Sequence, residues 1–295
     1  MLIIKVASAV LAGPLNNRLP QSSDAWRGKP SLVLRTRLLT AVFALPLLIG
    51  VICCAPAWLF SAALLLCTAL GLYEYFSLIQ ARLSFPPLFG LLWGLAVAVL
   101  LLWLHPSAAS AALITGLLLS FLLALRDEQP ARGVMSVSDA LLGVVYVGFL
   151  TPHIALIRQT PNGVAWVFFV LLVTMLGDTA GYAVGRLWGK HKLIPHISPG
   201  KTIEGSVGSV LGNLCGALCS WAWFFPQRSV LELLLLGVGA GALAQIGDLC
   251  ESAIKRACGV KDSGRLLPGH GGMLDRLDSL LFPAAFIYYY RKIWG

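Results

Sequence analysis

Nine apolar runs, at about 38–56, 57–79, 85–104, 107–125, 138–157, 163–185, 205–225, 229–248 and 279–294, dominate the 295-residue chain. A bilayer core is crossed by about 20 apolar residues in a helix, because in lipid only helices and closed barrels satisfy every backbone group. The runs predict an all-α, polytopic membrane protein with about nine transmembrane helices. Charged residues make up only 12% of the chain, against roughly 25% in an average soluble domain. No soluble domain of ordinary size fits between the runs. Residues 31–295 therefore read as one membrane domain and residues 1–30 as a flexible N-terminal extension.

The formal net charge of +9 is mainly a matter of topology. With nine spans and a cytoplasmic N-terminus, sixteen of the 22 Lys and Arg fall in inside loops, and only Arg158, Arg228, Arg291 and Lys292 fall outside. This asymmetry follows the positive-inside rule. It points to a multi-pass protein of a cell membrane, expected to be a bacterial inner membrane, and gives no reason to expect nucleic acid as a partner. Loops 186–204 and 251–278 would face the cytoplasm. The seven cysteines lie mostly within apolar runs, without a C-x-x-C pair, and read as small hydrophobes.

Polar residues inside the runs are few, so each carries information. Glu74 lies near a span end, where a carboxylate can snorkel to the interface, and reads as structural. His105 and His153 read as packing residues. Asp178, between glycines in an apolar run, is a functional candidate because ionisable groups in a span are costly. The fragment "SPGKT" invites a phosphate-loop reading, but Pro195 stands where that motif needs its first glycine, and no strand is expected before it. Ser198, Gly200, Lys201 and Thr202 still offer amides, hydroxyls and a point charge suited to phosphate oxygens. Farther on, Asp248, Glu251, Ser252 and Lys255 fall at i, i+3, i+4 and i+7, on one helix face.

The stretch "KDSGRLLPGHGGMLDRLDS", Lys261 to Ser279, carries six charges, a histidine and four glycines. At roughly 2.5–3.5 kcal/mol per charge, burying all six in lipid would cost on the order of 15–20 kcal/mol, so the stretch must face water. Asp275 and Asp278 lie three apart on one helical face, and Asp carboxylates suit Mg²⁺, which keeps waters and binds substrate phosphates. Lys255, Arg256, Lys261, Arg265 and Arg276 supply cations for those phosphates. Interleaved carboxylates and cations read as a metal–polyphosphate site.

Ser252 to Asp278, "SAIKRACGVKDSGRLLPGHGGMLDRLD", resembles the signature of the phosphatidate cytidylyltransferases, also called CDP-diacylglycerol synthases. The block "GDTAGYAVGRLWGKHKLIPHISPGKTIEGSVG" is similar to the family's upstream block, and "TRLLTAVFALPLL" to its usual start. The likeness covers roughly 34–295, most strongly 174–295. The first thirty residues are outside the pattern, and the first four runs match it only in hydropathy.

The resemblance implies a reaction in which CTP and phosphatidate give CDP-diacylglycerol and pyrophosphate, with Mg²⁺ required, alone or with a second metal or a monovalent cation. It implies that Asp248 and Asp275 ligate the metal, with Asp278 orienting or completing the shell. Lys201, Lys255, Arg256, Lys261 and Arg276 would hold phosphates, and Ser252 a phosphate or a metal-bound water. Ser198, Thr202 and Asp178 would line the substrate site. His270 would either meet the leaving pyrophosphate or fix the glycine-rich turn. Small-residue faces such as "GVGAGALAQIG" admit a homodimer. Two other readings use the same residues: a CTP-dependent polyprenol kinase, and an ion-coupled transporter with a pathway through Asp178 and Asp248. The Asp-x-x-Asp-Gly-x-x-Ala-Arg motif of CDP-alcohol phosphotransferases is absent.

Overall fold

The computed structural model describes residues 46–264 and 271–294. The N-terminal extension, the first eight residues of the first expected span, Arg265 and His270 lie outside them. Helix α1 occupies 46–54. It is followed by α2 (Ala57–Ile79), α3 (Pro87–Trp103), α4 (Pro106–Ala124), α5 (Pro130–Gly143), a π-helical stretch (Val144–Phe149) and α6 (Pro152–Gln159). The second half contains α7 (Gly163–Trp188), a hairpin of β1 (Lys192–Ile194) and β2 (Ser198–Thr202), α8 (Ile203–Phe224), α9 (Val230–Ala257) and α10 (Leu274–Trp294).

Among the described residues, six helical segments are long and apolar enough to cross a membrane, the bent unit Pro130–Gln159 among them. This differs from nine equal spans for physical reasons. α3 has 17 residues, short of the usual span. α10 is long enough at 21 residues but carries Asp275, Arg276 and Asp278 at one end and Arg291 and Lys292 at the other. The fifth expected span, 138–157, is part of a segment that bends through the π turn, whose extra residue per turn frees backbone groups to rearrange. That turn brings Gly148 onto the backbone of Gly94, and its Tyr146 hydroxyl donates to the Gly247 carbonyl of α9 at 3.1 Å.

The architecture is also not purely α-helical. The segment expected as a basic loop forms an antiparallel hairpin, pairing Lys192 with Thr202 and Ile194 with Ser198 across an irregular register. Pro199 and Gly200 are weak strand formers, and the closure is completed from outside the strands. Ile203 N–H donates to the His191 carbonyl at 2.9 Å, and Arg256 Nε to the Ile197 carbonyl at 3.2 Å.

Lipid-side and core-side residues divide as expected for a membrane bundle. Large apolar side chains such as Ile114, Leu118, Leu211 and Trp223 point outward, while Leu72, Phe76, Val97, Trp166, Leu233 and Leu281 fill the interior. The α7–α8 contact depends on small residues: a Cβ at Gly212 would run into the Leu176 carbonyl, and one at Gly216 would lie 2.8 Å from the Leu172 carbonyl. α8 also sends Asn213, 1% exposed, into the space between Gly177 of α7 and Gly241 of α9. His153, fully buried among Phe149, Tyr288 and Tyr289, packs as the sequence suggested.

Candidate active site

The C-terminal ends of α7 and α9, the N-terminal ends of α8 and α10, and the hairpin meet at one end of the bundle around a cleft of about 740 Å³. Asp178, Ser198, Lys201, Thr202, Asp248, Asp275, Arg276 and Asp278 line it, so eight residues singled out from sequence come together. Glycines 177, 181 and 185 of α7 also border it, and a Cβ on each would meet α8 or its cap: Asn213 at Gly177, Gly205 and Ser209 at Gly181, Thr202 at Gly185.

Across the cleft, β2 extends Lys201, whose Nζ lies 2.6 Å from Asp248 Oδ2. Ser252 Oγ donates to Asp248 Oδ1 at 3.4 Å. Thr202 caps α8, its Oγ1 accepting the Gly205 N–H at 3.0 Å, which commits one lone pair to the helix start. Glu204 of the same first turn accepts the Lys190 N–H at 3.1 Å and meets His191 Nδ1 at 2.6 Å, fixing the hairpin base.

Behind the cleft wall, Lys255 bridges two carboxylates, pairing with Glu251 one turn earlier and with Asp275 Oδ1 at 2.7 Å. Asp275 Oδ2 also accepts the Gly272 N–H at 2.8 Å and the Ser263 N–H at 3.2 Å. Burial alone would raise the Asp275 carboxyl, but hydrogen bonding with Glu251, Lys255 and the Gly272 amide outweighs it and holds the group well below the usual carboxylate range.

Among the described residues, the carboxylates that converge are Asp248, Glu251 and Asp278, with one ligand oxygen from each within 4.8 Å of the others. Of the expected pair, Asp248 belongs to this trio, while the Asp275 carboxylate meets Lys255 and the loop amides. Glu251 is fully buried, and its Oε2 pairs with Lys255. An all-oxygen, anionic donor set fits a hard divalent cation. The spacing of 248 and 251 was visible in the sequence, but the family signature begins one residue later, at Ser252.

Besides Lys255, two more of the residues expected to hold phosphates lie outside the cleft lining. Arg256 is exposed and joins the hairpin to the end of α9, donating to the Ile197 and Val260 carbonyls. Lys261 is exposed beyond the cleft lining. The largest omission is Glu74, which is 4% exposed instead of snorkelling and reaches the turn before α10. Its one sequence signal was a lone carboxylate in an apolar run, the same signal that singled out Asp178.

A family model described as the cytidylyltransferase family matches residues 35–294. The chain is 35% identical over 257 residues to a phosphatidate cytidylyltransferase of Staphylococcus haemolyticus, covering 84% of this chain and 95% of that one. It is 34% identical over 284 residues to a phosphatidate cytidylyltransferase of Synechocystis, covering 86% and 95%. It is also 36% identical over 249 residues to the uncharacterized protein YnbB of Escherichia coli, with 80% of each chain covered.

Proposed function

The chain belongs to the cytidylyltransferase family, and from that premise we propose that it joins CTP to phosphatidate, giving CDP-diacylglycerol and pyrophosphate. The observation that carries the reading is the cleft itself, which Asp178, Asp248, Asp275 and Asp278 line together with the cations Lys201 and Arg276, at one end of a bundle of long apolar helices. A water-soluble polyanion and a lipid phosphate can meet only at such a boundary.

The chemistry makes modest demands on the protein. A phosphate-monoester oxygen, with a second pKa near 6, is largely anionic at neutral pH, so no strong general base is needed. That oxygen bonds to the α-phosphorus of CTP as the bond from that phosphorus to the bridging oxygen breaks and pyrophosphate leaves. Catalysis becomes alignment of two polyanions and offset of their charge. Asp248, Glu251 and Asp278 would hold Mg²⁺, which supplies charge neutralisation on the triphosphate. Lys201 and Arg276 face the cleft and would grip phosphate oxygens, with Ser198 beside them on the lining. Lys201 would then exchange Asp248 for phosphate.

The test is a partition assay with CTP labelled in the cytosine base, phosphatidate and Mg²⁺. Label should move into the organic phase. If it stays in water as CDP while a polyprenol gains phosphate, the protein is a lipid kinase and the proposal fails.

A further inference from the structure

The turn that delivers Asp275 and Asp278 is gripped by a carboxylate from the other half of the chain. Glu74, in the last turns of α2, accepts the Met273 N–H on Oε1 and the Leu274 N–H on Oε2, each at 2.9 Å. Oε2 also accepts the Ser263 hydroxyl at 3.1 Å. These amides belong to the start of α10, where helix geometry leaves N–H groups without partners and the dipole favours negative charge. Their acceptor stands about 200 residues away in sequence, in the second expected span.

The fit is close on every side. A Cβ on Gly264 would lie 2.5 Å from Glu74 Oε1, and one on Gly272 would collide with Glu74 and with the Ser263 hydroxyl. Ser263 and Gly272 are also the residues whose backbone N–H groups hold Asp275. The contacts form one line: Glu74 to Ser263 and Gly272, these to Asp275, Asp275 to Lys255, and Lys255 to Glu251 of the acidic trio. Asp278 follows Leu274 by four residues on α10, so the same grip sets its height against Asp248.

We propose that Glu74 is a positioning residue, acting through the turn at 263–264 and 271–274 to set the acidic trio. The proposal rests on reading that trio as a metal site serving phosphate chemistry. Partners one layer beyond metal ligands typically change metal affinity or activity by roughly 10–100-fold when removed.

Glu74→Gln keeps the shape but turns one acceptor into a donor facing Leu274 N–H or Ser263. Ser263→Ala removes one donor and keeps the carboxylate. Mn²⁺ binding to each purified full-length protein, followed by electron paramagnetic resonance, reads the trio without turnover; thermal unfolding and cytidine transfer are measured on the same samples. Glu74→Gln should bind Mn²⁺ about tenfold or more weakly. Its kcat should fall in parallel and its Mg²⁺ requirement rise, while the KM for CTP at saturating Mg²⁺ moves less. Ser263→Ala should shift the same way by a smaller factor. Wild-type Mn²⁺ affinity in folded Glu74→Gln, whatever its thermal stability, overturns the proposal, as does a wild-type protein that binds no Mn²⁺. If Glu74→Gln does not fold, Ser263→Ala decides, and unchanged affinity there overturns it. Weakened Mn²⁺ binding in the variants together with no label transfer by the wild type would leave the positioning role standing and reject nucleotidyl transfer.

Discussion

Lys255 is the residue on which the site's internal charge balance turns. Its side chain is 12% exposed and is shared by Glu251 and Asp275, whose side chains are 1% and 11% exposed. Removing one partner of a buried ionic group leaves uncompensated charge, which typically costs about 3–5 kcal/mol. Lys255→Met should therefore lower stability on the order of 3 kcal/mol, read by thermal unfolding in detergent, and abolish transfer. Adding Glu251→Gln should recover much of the stability but none of the activity. If the double variant is no more stable than Lys255→Met, the carboxylates are not what Lys255 balances. The sequence disclosed this cluster only in part. Lys255 and Asp275 stand at fixed positions of the signature, and Glu251 shares a helix face with Asp248. That the Asp275 carboxylate meets Lys255 depends on side-chain direction across two helices, which spacing does not encode.

At the scale of elements, the cleft exists because α7 and α8 approach closely enough for β2 to carry Lys201 across to α9. A Cβ on Gly212 would lie 2.3 Å from the Leu176 carbonyl, which cannot move without shifting α7. Overpacking of such a contact typically costs about 1–3 kcal/mol. Gly212→Ala should lower the unfolding temperature and weaken CTP binding by parting Lys201 from Asp248. Gly50→Ala in α1, with nothing within 4 Å of the new methyl, should leave both unchanged. Equal behaviour of the two variants would show that close packing does not set the cleft. The helices themselves were legible as apolar runs. The hairpin was not, because Pro199 and Gly200 disguise β2 and part of its closure comes from Arg256, nearly sixty residues downstream. The π turn was hidden for a similar reason: Val144–Phe149 reads as uninterrupted apolar helix, and only the contacts of Gly148 with α3 and of Tyr146 with α9 show the bend.

At the scale of the whole molecule, the two ends of the bundle hold their cations among different partners. At the cleft end, Lys201 pairs with Asp248 and, with Arg276, lines the cleft. At the other end, Arg158 Nε donates to the Ile52 carbonyl at 2.8 Å, and Arg228 and Arg291 lie 5.3 and 5.2 Å from the ring of Trp166. Glu232 accepts from Arg228 at 2.6 Å and from the Tyr290 hydroxyl at 2.7 Å, so that end is drawn closed by aromatic and ionic contacts. The end rich in basic residues is the one that positive-inside sorting retains in the cytoplasm, and it is also where CTP would have to arrive. Charge count and chemistry would both be met by one orientation, with the cleft end in the cytoplasm. In a background with the native cysteines replaced, Lys192→Cys in the hairpin and Gln227→Cys between α8 and α9 report opposite ends, both on exposed residues. A membrane-impermeant maleimide should label Lys192→Cys in inverted vesicles and not in intact cells, and Gln227→Cys in the reverse pattern. Labelling of Lys192→Cys from outside intact cells would place the cleft away from the nucleotide pool and remove the topological support for CTP as its substrate.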